Sequence, residues 1–287
     1  MKYPVAETAP VSEHATAVPA RAGLREPRSG RSRLLRAIAL PYEYLVFYGL
    51  LALFGIGGLI VSLVAVILGP ILPRRLGAPV GKFIIMTGFH WLTSVMQWCG
   101  ILKCDLSALD ALKGETSVIV APNHPSLLDV VLIVSRLPDM VCITKAPIWD
   151  NFFLGGGARL ARYIRNDSAI NLIKHSTEEV RAGHPLLIFP EGTRTRREPI
   201  NRFKAGFAVV AKRAEAPVQA VFIECTSCFF GKGWGLLKKP EFPMVYRMRL
   251  GRRFEVGDDV RGFVSELESY YSSELAGKVS IRPLPAR

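Results

Sequence analysis

The residues of this sequence best suited to chemistry are a histidine and an aspartate five positions apart, His124 and Asp129. They follow an apolar run, Val118–Ala121, and a turn that contains Pro125. A histidine acts as a general base when one ring nitrogen faces the substrate and the other donates to a carboxylate. A chain that reverses at Pro125 and begins a helix near Ser126 can bring Asp129 back beneath the imidazole. The spacing therefore predicts an acid–base pair.

The same residues also have a purely structural interpretation. Ser126 and Asp129 have the spacing of a capping box, which begins many helices that have no catalytic role. Ser126 is not expected to be a hydrolase nucleophile, because the chain has no G-x-S-x-G elbow and Ser126 follows His124 too closely. On spacing alone, both interpretations of Asp129 stay open.

A second polar turn follows another apolar run, Leu186–Phe189, and continues through Glu191 and Gly192 to Arg194. An arginine beyond a glycine turn can hold a phosphate group bidentately, with backbone N–H groups assisting. In open α/β sheets, active sites gather in the loops beyond the carboxyl ends of strands. The two turns could therefore share one cleft.

The elements that must position these turns can be read from the alternation of apolar runs and helical patterns beyond residue 100. Strands are predicted at Ile101–Cys104, Ser117–Ala121, Met140–Thr144, Pro185–Phe189, Val218–Ile223 and Met244–Leu250. Helices are predicted near 126–136, 168–182, 204–214 and 260–276. Such alternation predicts an α/β fold with a mixed, largely parallel sheet flanked by helices.

The residues before this region differ in character. Residues 1–40 begin polar and alanine-rich and then carry six arginines between Arg21 and Arg36, so we predict a disordered basic tail. A basic run before a hydrophobic one is typical of a lipid-facing flank, and a solvated tail is the alternative. Leu45–Leu68 then has no charged residue and would be about 36 Å long as a helix, against about 30 Å of hydrocarbon.

A second apolar segment, Val80–Leu102, is interrupted by polar residues and carries Trp91 and Trp98. This pattern is typical of an interfacial amphipathic helix. We therefore predict a membrane-anchoring helical hairpin over residues 41–100 and a catalytic domain over residues 101–287. The hairpin could enter one leaflet, or its first segment could cross the bilayer. Positive charge on both flanks favours the first arrangement.

Composition limits the partners. The chain has 287 residues, an apolar fraction of 49% and a formal net charge of +13, which favours lipid headgroups, nucleic acid or phosphate-bearing substrates. Nucleic acid is not expected, because the basic residues lack interleaved aromatic residues and no DNA-reading motif is present. The five cysteines lack the spacing of a zinc site, so no metal is expected.

Taken together, the two turns resemble a known family. The stretch Asn123–Asp129, followed about sixty residues later by Phe189–Arg196, is similar to the paired motifs of the glycerolipid acyltransferases, in particular the 1-acylglycerol-3-phosphate acyltransferases. The resemblance covers roughly residues 85–255. One departure concerns the family's fourth motif, which normally has two prolines, because Ala216–Val221 retains Pro217 and lacks the second.

The resemblance implies a role for each matching residue. His124 matches the catalytic base and Asp129 the aspartate that orients it. The acceptor-binding motif is matched by four residues, Glu191, Gly192, Thr193 and Arg194. Lys145 and Arg165 fall where the family has basic residues that help hold the acceptor phosphate.

The resemblance also implies an activity. The expected enzyme transfers a fatty acyl group from acyl-CoA or acyl carrier protein to a lysophospholipid hydroxyl, and converts 1-acyl-sn-glycerol 3-phosphate to phosphatidic acid. No cofactor is expected, because a thioester is already activated and the reaction needs only a base and donors for the oxyanion. The expected location is the bacterial inner membrane, with the catalytic domain on the cytoplasmic face. One alternative is another acceptor, such as a lyso-ornithine lipid, and a second is a non-catalytic basic protein of the membrane surface.

Overall fold

Two long helices begin the part of the chain that the computed structural model describes, which comprises residues 30–196, 199–226 and 229–276. Helix α1 extends over Gly30–Ile71 and helix α2 over Arg74–Trp98. Near their outer ends the hydroxyl of Tyr42 donates to the carbonyl of Cys99 at 3.0 Å. The two helices therefore run antiparallel and form the hairpin that the sequence predicts.

The predicted disordered tail can be compared with the structure only in part. Residues 1–29 lie outside the described residues, so the prediction for them is not tested. From Gly30 onward the structure describes helix, whereas the sequence analysis extended the tail to residue 40. Arginine, leucine and alanine, which dominate this stretch, are all strong helix formers, and this accounts for the earlier start of the helix.

Helix α1 is long and apolar enough to cross a membrane. Within the described residues one segment has this property, Ala39–Ile71, which contains an 18-residue stretch whose mean hydropathy is 2.8 and of which 11% is buried in the protein. Large apolar side chains such as Leu45 and Val66 are mostly exposed on it. Helix α2 exposes Trp91 and Trp98, as an interfacial helix would.

The remaining described residues form a sheet of seven strands with helices on both sides. The strands are β1 Leu102–Asp105, β2 Ile119–Pro122, β3 Val141–Lys145, β4 Ile164–Asn166, β5 Leu186–Leu187, β6 Val218–Cys225 and β7 Met244–Phe254. The helices are α3 Leu128–Val134, α4 Ala146–Trp149, α5 Gly155–Leu160, α6 Ala169–Arg181, α7 Gly206–Ala214 and α8 Val260–Leu275, with a 3₁₀ helix at Ser107–Leu112.

The order of the strands in the sheet is β1-β7-β6-β2-β5-β3-β4. Strands β2 to β6 are parallel to one another, β7 pairs with β6 antiparallel, and β1 is parallel to β7. The predicted mixed, largely parallel sheet is thereby confirmed. Because β2, β3, β4, β5 and β6 share one direction, the loops that follow them emerge at the same edge of the sheet.

The core lies in two layers, one on each face of the sheet. Along β2, Val120 packs with α2 and α3, whereas Ile119 and Ala121 pack with α6, α7 and α8. This alternation follows from the period of two along a strand. Phe47 of α1 belongs to the first of these layers, so the hairpin is part of the hydrophobic core.

Four short elements were not predicted from the sequence, namely the 3₁₀ helix, β4, α4 and α5. Strand β4 has three residues and lies at the edge of the sheet, and α5 begins with three consecutive glycines. Those glycines allow a close helix–helix contact, because a Cβ on Gly156 would lie 2.6 Å from the Cα of Ser62 in α1. The same glycines lower helix propensity and hide the element in the sequence.

Candidate active site

His124 is positioned by the residue before it. Strand β2 ends at Pro122, and the side chain of Asn123 then takes the place of a strand residue. Its Oδ1 accepts from the N–H of Ile223 at 2.7 Å, and its Nδ2 donates to the carbonyl of Ile223 at 3.0 Å. Asn123 thus extends the pairing of β2 with β6 by one step and fixes where His124 leaves the sheet.

The imidazole of His124 contacts the carboxylate that the sequence predicts as its partner. Nδ1 of His124 lies 2.9 Å from Oδ2 of Asp129, and the Asp129 side chain is fully buried. With a carboxylate as acceptor, Nδ1 carries the proton and Nε2 is the nitrogen left for a substrate. On its face the ring stacks on Phe189, with centroids 3.8 Å apart. His124 is therefore held in both tautomer and orientation.

Asp129 makes the contacts that both interpretations require. Its Oδ2 also accepts from the N–H of Ser126 at 2.8 Å, while the Ser126 hydroxyl accepts from the N–H of Leu128 at 3.0 Å. These are reciprocal bonds of the capping-box kind at the start of α3. Burial raises the pKa of Asp129, and the hydrogen bonds from His124 and Ser126 oppose that rise. The helix start and the orientation of the base thus depend on one oxygen.

Glu191 links the second polar turn to the first. Its side chain is 1% exposed. Oε1 accepts from the backbone N–H of His124 at 2.9 Å and from the hydroxyl of Thr195 at 2.8 Å, and Oε2 accepts from the N–H of Asn201 at 2.8 Å. Burial raises the pKa of Glu191, and these three donors oppose the rise. The sequence analysis expected Glu191 to bind the acceptor, whereas in the structure both oxygens accept from the protein, Oε1 from the histidine loop and Thr195 and Oε2 from Asn201.

The turn after Glu191 is shaped by a glycine. Gly192 has a φ of +65°, a conformation that disfavours other residues. An added Cβ there would lie 2.8 Å from Cδ of Lys204 and 3.3 Å from its Nζ. The hydroxyl of the next residue, Thr193, accepts from Nζ of Lys232 at 3.1 Å. Two lysines from distant parts of the chain therefore converge on Gly192 and Thr193.

Arg194 lies beside the catalytic pair, on the same edge of the sheet. The N–H of its neighbour Thr195 donates to the carbonyl of His124 at 2.7 Å. Its own Nη1 donates to the carbonyls of Phe230 at 2.5 Å and Gly231 at 3.2 Å. Burial lowers the pKa of Arg194, and the charge of Asp129 opposes this. The guanidinium is thus partly engaged by backbone carbonyls of the β6–β7 connection.

The two other basic residues predicted from the sequence differ in their surroundings. Lys145 is exposed at the carboxyl end of β3, close enough to Lys232 for its charge to lower that lysine's pKa. Arg165, on β4, forms an exposed ion pair with Asp150, with Nη2 and Oδ2 2.8 Å apart. The structure therefore brings Lys145 towards the polar turns, while Arg165 is engaged at the edge of the sheet.

The sequence analysis did not single out Asn123, Lys204 or Lys232 as site residues. Lys232 had one sequence signal, since it stands between two glycines, Gly231 and Gly233, shortly after a predicted strand. Among the described residues, no group of histidine, cysteine, aspartate and glutamate side chains could hold a metal ion.

The buried histidine–aspartate pair follows a parallel strand and lies beside a basic glycine turn, which is the arrangement expected from the paired motifs in the sequence. The chain matches the family described as Acyltransferase over residues 103–224. The match covers 122 of the 287 residues, and over them the chain is similar to the glycerolipid acyltransferases.

Three of the relatives that match this chain are named as 1-acyl-sn-glycerol-3-phosphate acyltransferases. Proteins named 1-acyl-sn-glycerol-3-phosphate acyltransferase are 26% identical over 112 residues in Helicobacter pylori strain J99 and 34% identical over 113 residues in Cocos nucifera. These matches cover 37% of this chain in both cases, with 47% and 36% of the relatives. The human protein named with the suffix beta is 26% identical over 154 residues, which is 50% of this chain and 55% of that protein. The chain thus spans roughly half or less of the length of the curated relatives it matches.

A solved structure supports the fold. The 1-acyl-sn-glycerophosphate acyltransferase PlsC of Thermotoga maritima superposes with a TM-score of 0.55 at 20% sequence identity. The superposition covers 85% of this chain and 99% of that one.

Proposed function

We propose that this chain transfers a fatty acyl group from an acyl thioester to the hydroxyl of 1-acyl-sn-glycerol 3-phosphate, which yields phosphatidic acid. The observation that carries the proposal is the contact of His124 with buried Asp129, on a loop that Glu191 ties to a basic turn. The names of the relatives support the choice of acceptor.

In the proposed mechanism, Nε2 of His124 removes the proton from the acceptor hydroxyl as its oxygen attacks the thioester carbonyl carbon. Asp129 faces Nδ1 and stabilises the imidazolium that forms. The tetrahedral intermediate then collapses, the carbon–sulfur bond breaks, and the imidazolium returns its proton to the leaving thiolate. The carboxylate thus acts through the imidazole, and His124 is the group that contacts the substrate.

The basic turn is suited to an acceptor that carries a phosphate. Arg194, Thr193 and Gly192 lie next to the residue that holds the histidine loop, and lysines approach them from two sides. A lysolipid hydroxyl held at His124 would place a phosphate a few bonds away at this turn. Acyl-CoA and acyl carrier protein are both anionic, and the net charge of +13 would attract either donor.

The departure in the fourth motif lies away from this turn. Gln219 stands near the start of β6, where it pairs with Val120, and it is 5% exposed. Its amide donates to the carbonyl of Gly251 at 2.8 Å. The catalytic turns follow the carboxyl ends of β2 and β5, whereas the fourth motif, Ala216–Val221, lies at the start of β6.

We further propose that the hairpin anchors the enzyme in one leaflet of the bacterial inner membrane, with the catalytic domain on the cytoplasmic face. Contacts with the catalytic domain extend along α1 from Glu43, which pairs with Lys239, to Ser62, whose hydroxyl donates to the carbonyl of Phe153. These positions are about 28 Å apart along a helix. A helix that crossed the bilayer would carry those parts of the catalytic domain into hydrocarbon, which favours insertion from one side.

The test is product identification with purified enzyme and a His124→Ala variant. Both are offered a pool that contains 1-acyl-sn-glycerol 3-phosphate, a lyso-ornithine lipid and lysophosphatidylcholine, together with labelled acyl-CoA or acyl carrier protein. We expect labelled phosphatidic acid from the wild type and none from the variant, which should still show a cooperative thermal unfolding transition. A dominant product from another lysolipid would reassign the acceptor, and a His124→Ala enzyme with near-normal turnover would remove the mechanism.

A further inference from the structure

The connection between β6 and β7 lies against both catalytic turns. We call its residues 229–239 the strap. The carbonyl of Phe229 accepts from the Ser126 hydroxyl at 2.5 Å, and that of Phe230 accepts from the N–H of Leu127 at 3.3 Å. Arg194 donates to the carbonyls of Phe230 and Gly231, as described above. The strap is therefore bonded to the start of α3 and to the basic turn.

A tight turn in the strap presents Lys232. The N–H of Trp234 donates to the carbonyl of Gly231 at 3.1 Å, and Gly233 has a φ of +89°. A hydrogen bond across four residues with a positive φ at the third is the pattern of a type II turn, and Lys232 occupies its second position. From this corner, Nζ of Lys232 reaches the hydroxyl of Thr193 at 3.1 Å.

The strap is also fixed at its far end, to α1. Lys239 forms an ion pair with Glu43 at 2.6 Å, and the carbonyl of Leu237 accepts from the hydroxyl of Tyr48 at 3.2 Å. The ring of Phe229 packs on Phe47, with centroids 5.9 Å apart. With both ends held, the turn at Lys232 stays against Thr193.

Lys232 belongs to a group of five basic residues, Lys145, Arg194, Arg196, Lys204 and Lys232. The positive charge of Arg196 is the largest cause that lowers the pKa of Lys232, followed by burial and by the charges of Lys145, Arg194 and Lys204. No carboxylate in the described part of the chain forms an ion pair with any of the five.

Some other basic residues of the catalytic domain form ion pairs. Arg165 pairs with Asp150, and Arg249 pairs with both Glu224 and Glu274. Basic side chains that repel one another beside Gly192 and Thr193 raise the free energy of the unliganded site, and an anion placed among them would lower it. Five basic side chains gathered near Thr193, none of them in an ion pair with a described carboxylate, therefore indicate an anionic ligand next to His124.

We propose that Lys232, assisted by Lys204, binds the phosphate of the acceptor and makes the enzyme selective for phosphate-bearing lysolipids. This inference rests on the proposed function and deepens it. The acceptor fits better than the donor, because its phosphate is a few bonds from the attacked hydroxyl, whereas a long pantetheine arm separates the thioester from the donor's phosphates. Thr193, which Lys232 contacts, is two residues from Glu191, and Glu191 accepts from the backbone N–H of His124, so Lys232 lies close to the proposed base.

The experiment compares Lys232→Gln with Lys238→Gln. Lys238 lies in the same strap but packs over the ring of Trp234, so its substitution removes the same charge away from the site. One charge-assisted contact to a phosphate corresponds to about a tenfold change in affinity. We expect Lys232→Gln to raise the KM for 1-acyl-sn-glycerol 3-phosphate about tenfold and to leave the donor KM unchanged. Lys232→Arg should restore most of the affinity for this acceptor. Lys238→Gln should change neither the acceptor KM nor the donor KM.

A binding measurement separates this inference from the proposed function. It uses two proteins that perform no transfer, the His124→Ala variant and the double variant that also carries Lys232→Gln. For each, the partition of 1-acyl-sn-glycerol 3-phosphate and of uncharged 1-acylglycerol from mixed micelles is measured. Loss of binding for the phosphate-bearing lipid alone supports the inference, whatever product the active enzyme makes. Equal losses for both lipids, no loss, or a raised donor KM would overturn it, even if phosphatidic acid is the product.

Discussion

Glu191 offers the sharpest test of how the site is held together, because its two possible roles predict different kinetics. As a ligand of the acceptor it would set the KM. As the structure places it, Glu191 accepts three hydrogen bonds from the protein, from His124, Thr195 and Asn201, and is almost fully buried. Glu191→Gln keeps the shape of the side chain but replaces one oxygen with a donor.

The magnitude follows from those bonds. If the Gln oxygen stays with His124 and Thr195, its NH₂ group faces the N–H of Asn201, so one charge-assisted bond is lost and two become neutral. Each such bond contributes about 1.5–3 kcal/mol when charged and about 1 kcal/mol when neutral. The variant side chain is neutral, so the free-energy cost of burying a charged carboxylate is removed, and this offsets part of the lost hydrogen-bond energy. We expect a net destabilisation of about 2–3 kcal/mol, or roughly 5–10 °C in Tm for a chain of this size.

Catalysis should suffer more than binding. The backbone of His124 loses one of its fixed partners, and a small displacement of a catalytic group can cost about a hundredfold in rate. The assay is thermal unfolding in detergent together with steady-state kinetics for acceptor and donor. Glu268→Gln is the matched control, because Glu268 accepts from the N–H of Phe203 at 2.8 Å and makes no contact with the histidine loop. A Glu191→Gln enzyme with normal kcat and Tm but a tenfold higher acceptor KM would refute the positioning role.

Two further predictions concern the pair and the hairpin. Asp129→Asn should lower kcat about a hundredfold with little change in either KM, because the imidazolium formed during transfer loses the negative charge that faces it. Stopped assays at saturating substrate concentrations measure this change. A variant with the wild-type kcat would remove Asp129 from the mechanism. Washing membranes with about 1 M salt, where the Debye length is about 3 Å, should leave the protein in the membrane pellet, because α1 is held by hydrophobic contacts. Release of the protein into the supernatant would indicate a purely electrostatic attachment.

Much of the fold followed from local patterns. Strands β2 and β6 and helices α6 and α8 have clear apolar runs or periodicity, and the structure places each within a few residues of its predicted bounds. Elements that depend on distant packing were missed. Helix α5 has no pattern of its own, and its glycines are explained by close contacts with other parts of the chain, such as that of Gly156 with Ser62. Such a contact joins residues that are far apart in the sequence.

The candidate site divides in the same way. His124 and Asp129 could be paired from their spacing, because they belong to one loop and one helix start. The surroundings of Glu191 and Arg194 could not be read from residue type, since a buried carboxylate that binds backbone donors looks the same in sequence as one that binds a substrate. Lys232 reaches Thr193 through a turn of the strap, and no periodic signal reports that reach.

The place of α1 in the protein has a practical meaning for anyone who wishes to prepare the enzyme without detergent. Phe47 lies in the same core layer as Leu92 of α2 and Tyr246 of β7. Deletion of the hairpin would therefore expose apolar surface on the catalytic domain and remove the contacts of the strap with α1. We expect such a fragment to aggregate. Solubility is better sought by keeping α1 whole and exchanging its outward leucines, isoleucines and valines for polar residues.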